Sequence, residues 1–99
     1  MIIKQLKVIN ESGIHARPSC MIIKLVEGFK SKITLDGSDA RSILSIMTLA
    51  ATKGRKLELI VDGEDEEKAA EAIEHLFKDG FFEKQSKRRS FNEKKQSRN

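Results

Sequence analysis

Six consecutive residues, Gly13-Ile14-His15-Ala16-Arg17-Pro18, combine the groups needed to hold a phosphoryl anion on an imidazole ring. Imidazole is a nucleophile available at cellular pH, and a helix beginning at Ala16 would turn its first unbonded N–H groups, with the positive end of its dipole, toward whatever His15 carries. Arg17 adds a planar donor fork suited to phosphate oxygens. Gly13 lets the backbone turn sharply before the histidine, and Pro18 suits a first helical turn, where a missing N–H leaves nothing unpaired. A lone histidine ahead of a helix is as a rule a solvated polar residue or a weak cap. The coincidence of Gly13, Arg17 and Pro18 with a second pattern around Ser42 reverses that weighting. No carboxylate shares a motif with His15 and no Ser-His-Asp grouping is readable nearby, so the loop suits a carrier and not a hydrolase.

The elements that must position these groups follow from periodicity. Residues 2–9 are apolar with Lys4, Gln5 and Lys7 interspersed, and Leu6 and Val8 share a face, which predicts a first strand. After the turn at 10–13, Ile22, Ile23 and Val26 make the apolar face of a first helix that Gly28 is placed to stop. A strand from about Ser31 to Asp36 ends at Asp36-Gly37, a strong turn signal, with another short strand at 38–41. Ser42 is the expected N-cap of a second helix whose Ile43, Ile46, Met47 and Ala50 form a buried stripe, with Leu44 off it and Gly54 as its end. A strand over 56–62 buries Leu57, Leu59 and Val61. The last helix follows Gly63, with Glu64 to Glu67 at its positive end, an apolar face of Ala69, Ala72, Ile73, Leu76 and Phe77, and closure by Lys78 and Gly80. Helices and strands mixed in this way bury their faces as an open-faced α/β sandwich.

Length and charge bound the rest. The chain has 99 residues, 34% of them charged and 5% aromatic, which suits one small domain. Its net charge of +4 is unevenly distributed, because residues 83–99 hold seven basic and two acidic side chains, leaving residues 1–82 at a net −1. We therefore expect a folded domain over 1–82 and a basic, disordered tail over 83–99. Cys20 is the one cysteine, and with His15 and His75 it makes no zinc-like cluster, so no metal, no cofactor and a reducing cytoplasmic setting are expected. Taken alone Cys20 reads as a small packing residue and His75 as a solvated one. No apolar run approaches the ~18 residues needed to span a bilayer, so no membrane insertion is expected.

Residues 1–82 resemble the HPr family, the histidine-containing phosphocarriers of the bacterial phosphotransferase system. The resemblance rests on Gly13-Ile14-His15-Ala16-Arg17-Pro18, on Arg41-Ser42-Ile43-Leu44 with Met47 and Thr52-Lys53-Gly54, and on Gly63 followed by an acidic helix. It implies an α+β fold, a four-stranded antiparallel sheet covered on one face by three helices. It implies that His15 accepts a phosphoryl group on its δ1 nitrogen from enzyme I and passes it to an enzyme IIA, with Arg17 neutralising phosphate charge. It implies partner docking on the first two helices, through Ala16, Cys20, Lys24, Ile43, Leu44 and Met47, and regulation by an HPr kinase/phosphorylase at Ser42. Such a protein is a stoichiometric carrier and not an enzyme, and its small near-neutral body suits a monomer.

Two departures qualify the resemblance. Only five residues separate Asp36 from Ser42, fewer than the family usually has, so the edge strand is expected to be short or missing. The segments 52–56 and 76–81 resemble the nitrogen-related branch of the family more than the sugar branch, while Ser42 argues the other way. A regulatory paralogue is thus an alternative. A nucleic-acid-binding module acting through the basic tail is another, although Phe91 alone makes a poor stacking platform.

Overall fold

Strict alternation along three segments builds the sheet. A computed structural model describes residues 1–49 and 51–82, in the order β1 (Ile2–Lys7), α1 (Ala16–Val26), β2 (Lys32–Leu35), β3 (Ser38–Asp39), α2 (Ile43–Thr48), β4 (Lys56–Asp62) and α3 (Glu66–Lys78), then a short turn at Gly80–Phe82. The strands form one antiparallel sheet in the order β1-β4-β2-β3. Leu6 lies opposite Leu57, Leu35 opposite Leu59 and Ile33 opposite Val61, so one row from each strand points to the same side. That side carries the core, where these residues pack with Ile22 and Val26 of α1, Ile46 of α2, and Ala69, Ala70, Ile73, Leu76 and Phe77 of α3. Each fully buried Leu, Ile or Phe contributes about 1.5–3 kcal/mol. The fold is the expected α+β layer of three helices on one antiparallel sheet.

Lys4 occupies a core-facing position opposite Leu59 and reaches over the edge of α3 to Glu74 at 3.0 Å. Its stem covers apolar surface while the ammonium finds an anion, and the Lys4 contact is the main reason Glu74 lies below the usual carboxylate range.

The connection from β2 to β3 is a two-residue hairpin with Asp36 (φ 48) and Gly37 (φ 81) both left-handed, as an Asp-Gly turn of the primed type requires. The edge strand is two residues long, in keeping with the short segment before Ser42. Asp36 also accepts from the Glu58 amide (2.7 Å) and from Arg55 (3.1 Å), tying the hairpin to β4.

Several helix ends differ from expectation. α1 stops at Val26 with Glu27 as its cap, and Gly28 is not among the glycines with positive φ. Gly28 therefore follows the cap directly, in a conformation open to other residues, and a remote side chain braces the segment that comes after it. The Arg41 guanidinium donates to the carbonyls of Val26 (3.0 Å), Phe29 (2.7 Å) and Ser31 (3.1 Å), and the Val26 carbonyl also accepts from the Phe29 amide (3.0 Å). α2 ends at Thr48, well before Gly54. The Thr48 hydroxyl turns back on the Leu44 and Ser45 carbonyls, and Arg55 takes the Leu49 carbonyl at 2.6 Å. Of the stripe expected to be buried on α2, Ile46 is fully buried, whereas Ile43 and Met47 are 40% and 42% exposed and Leu44 is 74% exposed. A helix of six residues offers the core too little length to cover more than one side chain. Ala50 lies outside the described residues.

Asp65 joins α3 to the end of α1. Its carboxylate accepts from the Ser31 hydroxyl (2.5 Å) and from the Lys30 and Ser31 amides (2.8 and 3.0 Å), and these bonds, the Ser31 hydroxyl first, hold its carboxyl below the ordinary value.

Candidate functional site

The histidine motif is shaped by the loop that precedes it. Asn10 is fully buried and its side-chain amide donates to the Gly13 carbonyl at 2.7 Å, while the Gly13 amide returns to the Asn10 carbonyl at 3.2 Å. Gly13 has φ +69, and Ile14 then donates to the Ala51 carbonyl at 2.9 Å and buries its side chain. Val8 and Gly54 are bonded in the same way, Val8 N–H to Arg55 and Gly54 N–H to Val8, and Lys53 pairs with Glu11 across the surface. Two loops distant in sequence are thus fixed to each other.

His15 is the N-cap of α1, with extended backbone (φ −105, ψ −159), and its carbonyl accepts from the Ser19 amide (3.0 Å) and the Ser19 hydroxyl (2.7 Å). Its side chain is exposed, as is that of Arg17 in the first turn, while Pro18 and Ser19 are buried. The first turn of α1 contains no acidic residue. Its positive end is therefore not neutralised by a carboxylate of that turn, a setting that favours an anion. Pro18 anchors the helix start and Ser19 braces the His15 carbonyl, roles that the buried serine alone would not reveal from sequence.

Arg17 is bonded from beyond the end of α3. Its guanidinium donates to the Phe81 carbonyl at 3.0 Å, a contact between residues 64 positions apart. Phe81 (φ 57) and Phe82 (φ 59) follow Gly80 (φ 65) in the left-handed region, an arrangement that costs about 1–3 kcal/mol for each non-glycine residue. The fully buried Phe81 ring offsets this, meeting Phe77 edge-on at a centroid distance of 4.8 Å.

Ala16, Cys20 and Lys24 are exposed along one stripe of α1, and Ile43, Leu44 and Met47 are exposed on α2, which packs beside it. Cys20 is consequently a surface thiol and not a packing residue. Ser42 caps α2, accepting from the Ser45 amide at 3.2 Å. His75 is exposed on α3 beside an apolar groove lined by Met21, Leu25, Leu76 and Phe82, and His15 lies outside that groove. Among the described residues no set of three His, Cys, Asp or Glu could hold a metal ion, and no helix is long and apolar enough to cross a membrane. The basic tail expected over 83–99 lies outside the described residues.

A cap histidine and an arginine in the first turn of the helix, set beside a one-sided antiparallel sheet, together suit an anion at the surface. Residues 2–79 match the family model described as the PTS HPr component phosphorylation site, and the chain belongs to this HPr family of phosphocarriers. It is 42% identical over 87 residues to the phosphocarrier protein HPr of Treponema pallidum, covering 84% of this chain and 99% of that one. It is 34% identical over 89 residues to the phosphocarrier protein NPr of Escherichia coli, covering 84% and 99%. Among solved structures it is similar to HPr from Thermoanaerobacter tengcongensis, with a TM-score of 0.80 and 31% identity over 86% of this chain and all of that one.

Proposed function

We propose that His15 is the phosphoryl acceptor and donor of this phosphocarrier, receiving its cargo from phospho-enzyme I and passing it to a histidine of an enzyme IIA. The observation that carries this reading is the placement of an exposed His15 at the N-cap of α1, whose first turn contains an exposed Arg17 and no acidic residue. The δ1 lone pair attacks phosphorus, the bond from phosphorus to the donor imidazole breaks with its electron pair leaving on the donor, and the His15 proton stays on the ε2 nitrogen. Arg17 and the first amides of α1 then face phosphate oxygens, steadying the adduct through charge while leaving the N–P bond open to the next acceptor. An exposed ring lets two partners approach it in turn. Those partners dock through Ala16, Cys20 and Lys24 on α1 and Ile43, Leu44 and Met47 on α2. Ser42, whose hydroxyl caps α2, is the target of a regulatory serine kinase that places an anion inside this docking face.

A second reading, that the downstream acceptor serves regulation and not sugar uptake, is favoured by the 34% identity to an NPr protein. The chemistry at His15 is the same in both. The test is incubation with enzyme I and phosphoenolpyruvate, scored by intact mass after mild acid and mild base, on wild type and His15→Ala. The expected product is one acid-labile, base-stable phosphate that the variant lacks. A phosphate that persists in His15→Ala, or none on wild type with several enzyme I sources, overturns the assignment.

A further inference from the structure

We propose that the outer edge of β1 is a latent pairing surface for a second copy of this chain, and that Lys4 keeps it closed. β1 (Ile2–Lys7) borders the sheet, and no strand lies beyond it among the described residues. The Val8 amide donates to the Arg55 carbonyl, so by antiparallel alternation the even residues of β1 bond to β4. The amides and carbonyls of Ile3, Gln5 and Lys7 therefore point away from the sheet. β1 pairs with β4 without interruption from Ile2 to Lys7, contains neither proline nor glycine, and leaves Ile3 58% exposed. Such an edge is a template for another strand unless something on it forbids pairing.

Lys4 is the exception on this strand. It shares the core-facing row with Leu6 and Val8, both buried, at a position where an apolar side chain would remove more surface from water. What it makes instead is the ion pair with Glu74, whose two side chains stay 35% and 27% exposed, and a pair so open to water adds little to stability. A second copy accounts for the choice. Outward-bonding residues must meet outward-bonding residues, so two β1 strands related by a two-fold axis overlap most when centred on Lys4 or on Gln5. In the first register the two Lys4 side chains stand directly opposite, about 4.5–5.5 Å apart at Cβ, and in the second they are diagonal neighbours at about 7–8 Å. On the other face the same registers set Ile3 against Gln5 or Lys7, with no like charges opposed within β1. Lys4 thus makes the edge reject its own copy, through like charge and through the water its ion pair would lose at the seam.

The test measures oligomeric state by light scattering on the full chain, with amide hydrogen exchange to locate the contact. Wild type is expected to stay monomeric from about 10 µM to about 1 mM, and Lys4→Val to become at least half dimeric within that range. In the dimer the amides of Ile3 and Gln5, which are bonded in either register, should exchange about tenfold more slowly than in wild type. Lys4→Arg, which keeps the charge, is expected to remain monomeric. Should Lys4→Val fail to fold by circular dichroism, Lys4→Met carries the same measurement with the same expectation. A neutral variant that stays monomeric throughout overturns the proposal, and so does a dimer whose Ile3 and Gln5 amides still exchange freely. Dimerisation of wild type through these amides, or of Lys4→Arg as readily as Lys4→Val, equally removes Lys4 as the guard. None of these outcomes depends on the role of His15.

Discussion

Gly13 lies so close to Ala51 that a β-carbon on it would stand 2.4 Å from the Ala51 carbonyl oxygen and 3.1 Å from the Thr52 α-carbon. Both obstacles are backbone, and neither can step aside. With φ +69 already unfavourable to other residues, Gly13→Ala is expected to cost about 2–4 kcal/mol in urea unfolding and to slow phosphoryl uptake by displacing His15. A variant as stable as wild type would show that the two loops are not rigidly joined.

Arg41 braces the last carbonyl of α1 and the segment after it from a different part of the chain, giving the carbonyls of Val26, Phe29 and Ser31 a shared donor. Arg41→Ala is expected to destabilise by about 1–3 kcal/mol and to speed amide exchange at Glu27, Gly28 and Phe29. Arg41→Lys should recover little, because one ammonium on a flexible stem does not reproduce a planar fork. Unchanged exchange at these amides would contradict the clamp.

Asp65 gives a pH signature. Its carboxyl lies below the ordinary value because the Ser31 hydroxyl and neighbouring amides bind the ionised form. A depressed carboxyl contributes stability above its unfolded value, near about 4, and that contribution is lost as pH falls through the folded value. Wild type and Asp65→Asn should therefore differ in melting temperature at pH 7 and converge on acidification. A gap that stays constant down to pH 3 would locate the effect elsewhere.

Ser42 separates cap from charge. Ser42→Ala removes the acceptor for the Ser45 amide and is expected to cost about 1 kcal/mol, while Ser42→Asp keeps an acceptor there and restores stability. The aspartate is nevertheless expected to slow uptake from enzyme I severalfold, by placing an anion in the proposed docking face. Equal transfer rates in Ser42→Asp and wild type would leave the serine as a cap alone.

The strands and helices were legible because their apolar spacing is regular. Leu57, Leu59 and Val61 alternate, Ile22 and Val26 repeat at helical spacing, and all are buried. The Asp36-Gly37 turn and the Ser42 cap were readable for the same local reason, each being a short-range preference of the residues involved. The start of α1 after His15 was legible too, from Pro18 and the change of period. What escaped were contacts between distant parts of the chain. Arg41 looks like any exposed cation until the fold brings three carbonyls to it. On α2 the same apolar spacing that marks a core stripe elsewhere belongs to surface residues, since period alone does not say which side of a short helix faces inward. The left-handed Phe81 was invisible for the opposite reason, because its backbone contradicts its own preference.

The hydrogen-bonded partners of β1 and of the histidine loop lie far down the chain, in β4 and at Ala51, and Arg17 meets Phe81. On the ribosome the histidine motif therefore emerges before the residues that pair with it and brace it. A translation product cut short before β4 carries the motif without its setting.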